Sequence, residues 1–169
     1  MATSTTNTST KTSIVLIGQD DWDEWIEVVK TAAISGDVWD YINPDTLQGN
    51  VPILTEPHEP IYEDVASTND KRLEIRYSTL TEDEKEEFKH LQQRYKRDYE
   101  AYIRKKTALA TIRTRIQESV SRPNLSYTFN CNSSYEMLVK LKERFSPTTT
   151  SRTREVLLRY RRLLRAPRN

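Results

Sequence analysis

The carboxyl-terminal end of the chain carries the residues best suited to bind a polyanion. Eight Arg fall within the last 26 residues, where Glu155 is the only acidic residue. The planar guanidinium group of Arg matches the oxygens of a phosphate, and a Tyr among several Arg can stack on a nucleic-acid base. The candidate RNA-binding residues are Arg152, Arg154, Arg159, Tyr160, Arg161, Arg162, Arg165 and Arg168. A solvated helix face, or pairing with the acidic first half of the chain, explains the same pattern.

The distribution of charge along the chain is strongly asymmetric, although the net charge is only +1. Residues 1–90 contain 7 Lys or Arg against 19 Asp or Glu, a balance of −12. Residues 91–169 contain 19 against 6, a balance of +13. Such halves indicate either electrostatic pairing within the molecule or a basic end that meets a polyanion.

The chain lacks the residue patterns of common catalytic, cofactor and metal sites. Its three Gly form neither G-x-G-x-x-G nor G-x-x-x-x-G-K-[ST]. One Cys and two His provide no disulfide framework, zinc site or catalytic triad. The acidic run at residues 82–87 suits the positive end of a helix dipole. We therefore expect no enzyme activity, no cofactor and no small-molecule substrate.

The amino-terminal sequence indicates a protein that is neither secreted nor embedded in a membrane. Residues 1–13 contain nine Thr or Ser and no apolar stretch, which predicts a disordered tail rather than a signal peptide. The longest aliphatic run, Ile14 to Ile17, is four residues, whereas a membrane-spanning helix needs about 20. We expect a cytoplasmic, intracellular location and no membrane partner.

Apolar spacing and capping residues predict an all-α fold. One helix begins at Trp22 and ends at Gly36, and an acidic, Pro-bearing loop covers residues 46–80. Thr81 and Glu84 form a capping box before a helix of roughly 38 residues, for which we expect a break near Lys106. Two shorter helices are predicted at residues 135–145 and 152–164. The fold is thus expected to be a helical bundle, with two small lobes at residues 14–118 and 119–169 as one arrangement.

The long helix carries an apolar stripe with a seven-residue step. Its members are Phe88, Tyr95, Tyr102, Leu109 and Ile116, and they are open to two interpretations. The stripe forms either a coiled-coil seam with a partner helix or one face of a bundle core. Asp98 and Lys105 occupy expected seam positions, which favours the bundle core.

Four short stretches follow one another in a recognisable order. They are Asp21 to Trp25 with Val38 to Pro44, Ala108 to Ile112, Ser134 to Phe145, and Arg154 to Tyr160. In order and spacing they resemble the Gag polyproteins of copia-type LTR retrotransposons, over about residues 14–165. The resemblance assigns a family-motif core consisting of Trp22, Trp25, Trp39, Tyr41, Tyr135, Leu138, Leu141 and Phe145. Leu138 stands where the family often has Trp.

The resemblance implies a helical, capsid-forming structural protein that assembles into virus-like particles and packages the RNA of a transposable element. The partners would be further copies of the chain and RNA. Cys131 alone cannot supply the zinc knuckle that often follows the capsid region in this family. The chain therefore resembles the amino-terminal capsid region of Gag, with a second lobe that would be truncated.

Two other functions are consistent with the same residues. One is a monomeric helical nucleic-acid-binding module, as a remnant or domesticated Gag would be. The other is a protein-interaction module in which the long helix docks onto a partner helix. The three Trp near the amino end would form either a peptide-binding groove or simply the core of a lobe.

Overall fold

The computed structural model describes residues 14–66 and 74–165, with residues 155 and 163–165 described by their backbone alone. Within these ranges the chain forms four α-helices, α1 (Trp22–Ser35), α2 (Glu82–Ser119), α3 (Ser134–Phe145) and α4 (Thr149–Arg165). The same ranges contain short 3-10 helices in the connections and no β-strand beyond a single parallel bridge. The all-α prediction is therefore confirmed. The tail expected at residues 1–13 lies outside the described residues.

The longest element is α2, with 38 residues and a length of about 57 Å. Its start is fixed by the predicted capping box. Thr81 Oγ1 accepts a hydrogen bond from the Glu84 N–H at 3.3 Å, and a Glu84 carboxylate oxygen accepts one from the Thr81 N–H at 2.8 Å. The break expected near Lys106 does not occur. No Pro or Gly interrupts the helix, and most of its residues are strong helix formers.

One hydrophobic core joins α1, the last third of α2 and α3. Leu16, before α1, and Val120, after α2, complete this core. Its buried helical members are Trp22, Trp25, Val29, Ala33, Ile112, Ile116, Met137, Leu138, Leu141 and Phe145. α3 belongs to residues 119–169, which the sequence assigns to a second lobe in one arrangement. In the structure α3 packs into the same core as α1 and α2.

The segment before α1 is tied to the segment after α2. The Leu16 N–H donates to the Ser119 carbonyl at 2.8 Å, and the Leu16 carbonyl accepts from the Ser121 N–H at 3.0 Å. The indole N–H of Trp25 donates to Ser119 Oγ at 2.9 Å. These contacts join residues about a hundred positions apart. They therefore hold the start of α1 against the end of α2.

The loop between α1 and α2 contains an extended segment, residues 51–61, which we call the strap. Every third residue of the strap is half-buried, namely Val51, Leu54, Pro57 and Pro60. Leu54 lines a groove with Leu109 of α2, and the ring of Tyr62, just beyond the strap, lies 4.8 Å from that of Phe88. The strap therefore runs antiparallel to α2, from its carboxyl-terminal third back toward its start.

The apolar stripe of α2 has two environments. Ile116 is buried in the core, as the bundle-core interpretation predicts. Tyr95, Tyr99 and Tyr102 are half-buried, and their rings follow one another at centroid distances of 5.6 and 6.1 Å. The middle of the stripe is thus shielded in part by neighbouring tyrosines and by the acidic strap.

Candidate nucleic-acid interface

α4 begins beside the start of α1. The Thr148 hydroxyl accepts a hydrogen bond from the Ser151 N–H at 3.2 Å and so caps the first turn, as the run of Thr and Ser predicts. Arg152 Nη2 donates to an Asp23 carboxylate oxygen at 2.6 Å. Leu158 and Asp20 line a small cleft of about 220 Å³ at the same place. This cleft is where the first half of α4 approaches the body of the molecule.

All described candidate arginine side chains of α4 are exposed, and one of them, Arg152, also forms an ion pair. Arg152 forms the ion pair with Asp23, which matches one of the alternatives to RNA contact. The other described candidate side chains are exposed, namely Arg154, Arg159, Tyr160, Arg161 and Arg162. Arg165 closes α4 and is described by its backbone, and Arg168 lies outside the described residues.

Apolar side chains of α4 are also exposed. Val156 is 67% exposed and Tyr160 is 60% exposed, and Leu157 is half open to solvent. At about 3.6 residues per turn these three lie on one side of the helix, with Arg159 and Arg161 flanking them. The sequence places these residues on one side correctly, but it does not reveal that the side faces solvent.

The residues assigned to the family-motif core lie in or against the hydrophobic core. Trp22 and Trp25 are buried, with ring centroids 5.6 Å apart, and Leu138, Leu141 and Phe145 are buried on α3. Trp39 and Tyr41 belong to a 3-10 helix and are half-buried. Lys30 lies 5.9 Å from the ring of Trp39, and Lys105 lies 5.4 Å from that of Tyr41.

Tyr135 connects α3 to the turn after the 3-10 helix at Trp39–Tyr41. Its hydroxyl donates to the Thr46 carbonyl at 2.8 Å. Nearby, Lys142 Nζ lies 2.6 Å from an Asp45 carboxylate oxygen. Both contacts cross about 90 or more residues of sequence, and they fix the loop that leads into the strap.

Outside α4, the reactive or charged side chains singled out in the sequence lie in environments that stabilise the fold. The Cys131 thiol is buried against the carbonyl of Phe129 at 3.7 Å. A hydrogen bond from Lys85 at 2.8 Å lowers the pKa of Glu82 in the acidic first turn of α2. Within the described ranges no cluster of His, Cys, Asp and Glu is arranged to hold a metal ion.

Sequence reasoning missed two features of this part of the molecule. Met137 is fully buried, although it was not among the predicted core positions of its helix. Its spacing from Leu138 and Leu141 is the helical core pattern, so that signal was present in the sequence. The course of the strap left no such signal, since its contacts with α2 are distant in sequence.

Comparison with known proteins gives no match to a protein family, to a curated protein or to a solved structure. Of the helices in the described ranges, none is sufficiently long and apolar to cross a membrane.

Proposed function

We propose that this chain is a non-enzymatic structural protein of the retrotransposon Gag type. It would assemble through helical surfaces into capsid-like particles in the cytoplasm and gather RNA on α4. The observation that carries the proposal is the exposure of α4 on both its basic and its apolar side. The ordered motifs from Trp22 to Tyr160 support the choice of family.

The basic side of α4 supports binding to RNA without regard to sequence. Arg154, Arg161 and Arg162 are exposed, so that their guanidinium groups are available to phosphates. Tyr160 is exposed among them and can stack on an unpaired base. Binding of this kind releases counterions and therefore weakens steeply as salt rises.

The apolar side of α4 supports self-association. Val156, Leu157 and Tyr160 together present apolar surface that the described part of the chain leaves open to solvent. Each Å² of such surface that a partner covers is worth about 25 cal/mol. Because the arginines flank this surface rather than occupy it, one helix can serve both contacts.

RNA binding is tested by measuring the affinity of the full chain for a single-stranded RNA across a range of salt concentrations. Replacing Arg159, Arg161 and Arg162 by Ala should weaken binding to all sequences about equally. The log–log salt slope should become shallower by about 2, at about 0.7 for each lost phosphate contact. The same three positions changed to Lys should keep the slope, since the charge remains. If the Ala variant binds RNA as tightly as the wild type, the proposal that α4 binds RNA is wrong.

Assembly is tested by sedimentation velocity and negative-stain electron microscopy of the same protein, with and without RNA. We expect species larger than two copies, whose proportion rises with protein concentration. A chain that stays monomeric at high concentration in both conditions contradicts the capsid proposal. If that monomer still binds RNA through α4, the function is that of a helical nucleic-acid-binding module.

A further inference from the structure

The acidic half of the molecule is concentrated in one continuous segment. Residues 31–70 contain eight Asp or Glu and no Lys or Arg. Two of these carboxylates are paired with lysines, Asp37 with Lys105 at 3.0 Å and Asp45 with Lys142 at 2.6 Å. A third, Asp64, lies 3.4 Å from Nε2 of His58 on the strap. Glu56 and Glu59, both on the strap, are exposed. The strap therefore carries two exposed carboxylates that lie three residues apart.

The strap presents apolar side chains beside its carboxylates. Because every third residue is half-buried, Ile53, Glu56 and Glu59 fall on one solvent-facing row. Ile53 is 84% exposed, and Leu47, just before the strap, is 75% exposed. A groove of about 630 Å³ separates the strap from the start of α3. An apolar surface edged by carboxylates is the complement of the apolar, arginine-flanked surface of α4.

The spacing of charge on the two surfaces also agrees. Glu56 and Glu59 are three extended residues apart, which is about 9–10 Å. Arg154 and Arg161 lie two helical turns apart on the same side of α4, which is about 10.5 Å. Leu157 lies between the two arginines along α4 and would face the part of the strap between the two carboxylates.

The α4 of the same chain is held elsewhere. Arg152 ties its first half to Asp23 of α1, and Arg154 lines the same cleft while its side chain remains exposed. The groove beside the strap is lined by residues of α2, the start of α3 and the preceding loop, and no described residue of α4 is among them. A basic amphipathic helix that docks on the strap therefore comes from another molecule.

We propose that α4 of one copy docks on the strap of a second copy, with Arg154 and Arg161 meeting Glu56 and Glu59. The proposal rests on the self-association put forward above and names the two surfaces that carry it. The contact joins unlike surfaces, so each bound pair leaves one α4 and one strap open, and association can extend beyond two copies.

Charge reversal tests the contact with the full chain after nuclease treatment. The first variant carries Arg154→Glu and Arg161→Glu, and the second carries Glu56→Arg and Glu59→Arg. By sedimentation, each variant alone should associate at least about tenfold more weakly than the wild type, because like charges then face each other. An equal mixture of the two variants should recover association, since opposite charges are again opposed. The variant with all four changes should recover it by itself.

Matched controls separate this contact from general effects of charge. Glu100→Arg with Glu118→Arg changes the net charge as the strap variant does, at two exposed carboxylates of α2. Lys96→Glu with Arg97→Glu, at two exposed basic residues of α2, lowers the net charge by the same amount as the α4 variant. Both controls should associate like the wild type, and thermal melts should show every variant folded.

Three results would overturn the proposal, and each has a distinct meaning. If the wild type associates and the reversed variants associate equally well, the surfaces are wrong while self-assembly stands. If nuclease abolishes association of the wild type, RNA bridges the copies and the direct contact is wrong. If the wild type never associates, the assembly function itself fails, whatever the variants do.

Discussion

At the residue scale, Ser119 does more than end α2. Its hydroxyl accepts the indole N–H of Trp25 at 2.9 Å and donates to the Arg115 carbonyl at 2.7 Å. Trp25 is 1% exposed, so its N–H is shielded from solvent. One hydroxyl thus satisfies the polar atom of the largest fully buried side chain of the core.

Replacing Ser119 by Ala should lower the free energy of unfolding by about 1–3 kcal/mol, because the buried indole N–H loses its acceptor. Urea titration followed by circular dichroism measures the change. Ser35→Ala is the control, since the Ser35 hydroxyl bonds to the Thr31 carbonyl on an exposed part of α1. A loss no larger for Ser119 than for Ser35 would contradict this role.

Gly36 permits α1 to end directly against α2. A Cβ built at Gly36 would lie 2.9 Å from the Cβ of Ala108, which is closer than two such atoms can approach. Gly36→Ala should therefore destabilise the protein by about 1–3 kcal/mol through overpacking. Adding Ala108→Gly should recover part of this loss in thermal or urea unfolding. Gly49→Ala, where no atom lies within 4 Å, should have little effect.

At the scale of elements, the helices were predictable because their signals are local. The capping box at Thr81 and the stop at Gly36 each depend on residues within one turn. The observed bounds of α2 and α3 differ from the predicted ones by a single residue at most. The sequence predicts the strap only as part of a long acidic loop, because its partners on α2 lie 20 to 60 residues away and leave no periodic pattern.

The position of the strap can be checked through the titration of Tyr95. Burial, and after it the negative charges of Glu59 and Glu56, raise the pKa of the Tyr95 phenol above its ordinary value of 10.0. Glu59→Gln should lower that pKa partway, as followed by the ¹³Cζ chemical shift of Tyr95. Glu118→Gln, at the far end of α2, should leave it unchanged. If the two variants change the pKa of Tyr95 equally, the strap does not lie beside Tyr95.

The same titration carries a consequence for stability with a definite sign. A raised phenol pKa means that the folded state holds its proton more tightly than the unfolded chain does. The resulting stabilisation is fully present below pH 10.0 and is lost as pH rises through the pKa of the folded state. Tyr95→Phe, which has no proton to lose, should therefore unfold less readily than the wild type at strongly alkaline pH.

At the scale of the whole molecule, the charge asymmetry was readable from the sequence, but its arrangement was not. Counting residues separates an acidic first half from a basic second half. It does not reveal that Arg152 alone of the described α4 candidates forms an ion pair within the chain, with Asp23. Nor does it reveal that Glu56 and Glu59 lie on one exposed row of the strap. Those facts depend on tertiary packing, which places residues 23 and 152 side by side.

The tie between the segment before α1 and the end of α2 has a consequence for synthesis. Trp22 and Trp25 leave the ribosome well before Ser119, the partner of Trp25, which is 94 residues further along the chain. At about 5–20 residues per second, some 5–20 s pass before that partner exists. During this interval the tryptophans cannot be buried in their native core. The order of synthesis therefore leaves both indole rings without their native neighbours until the end of α2 has been made.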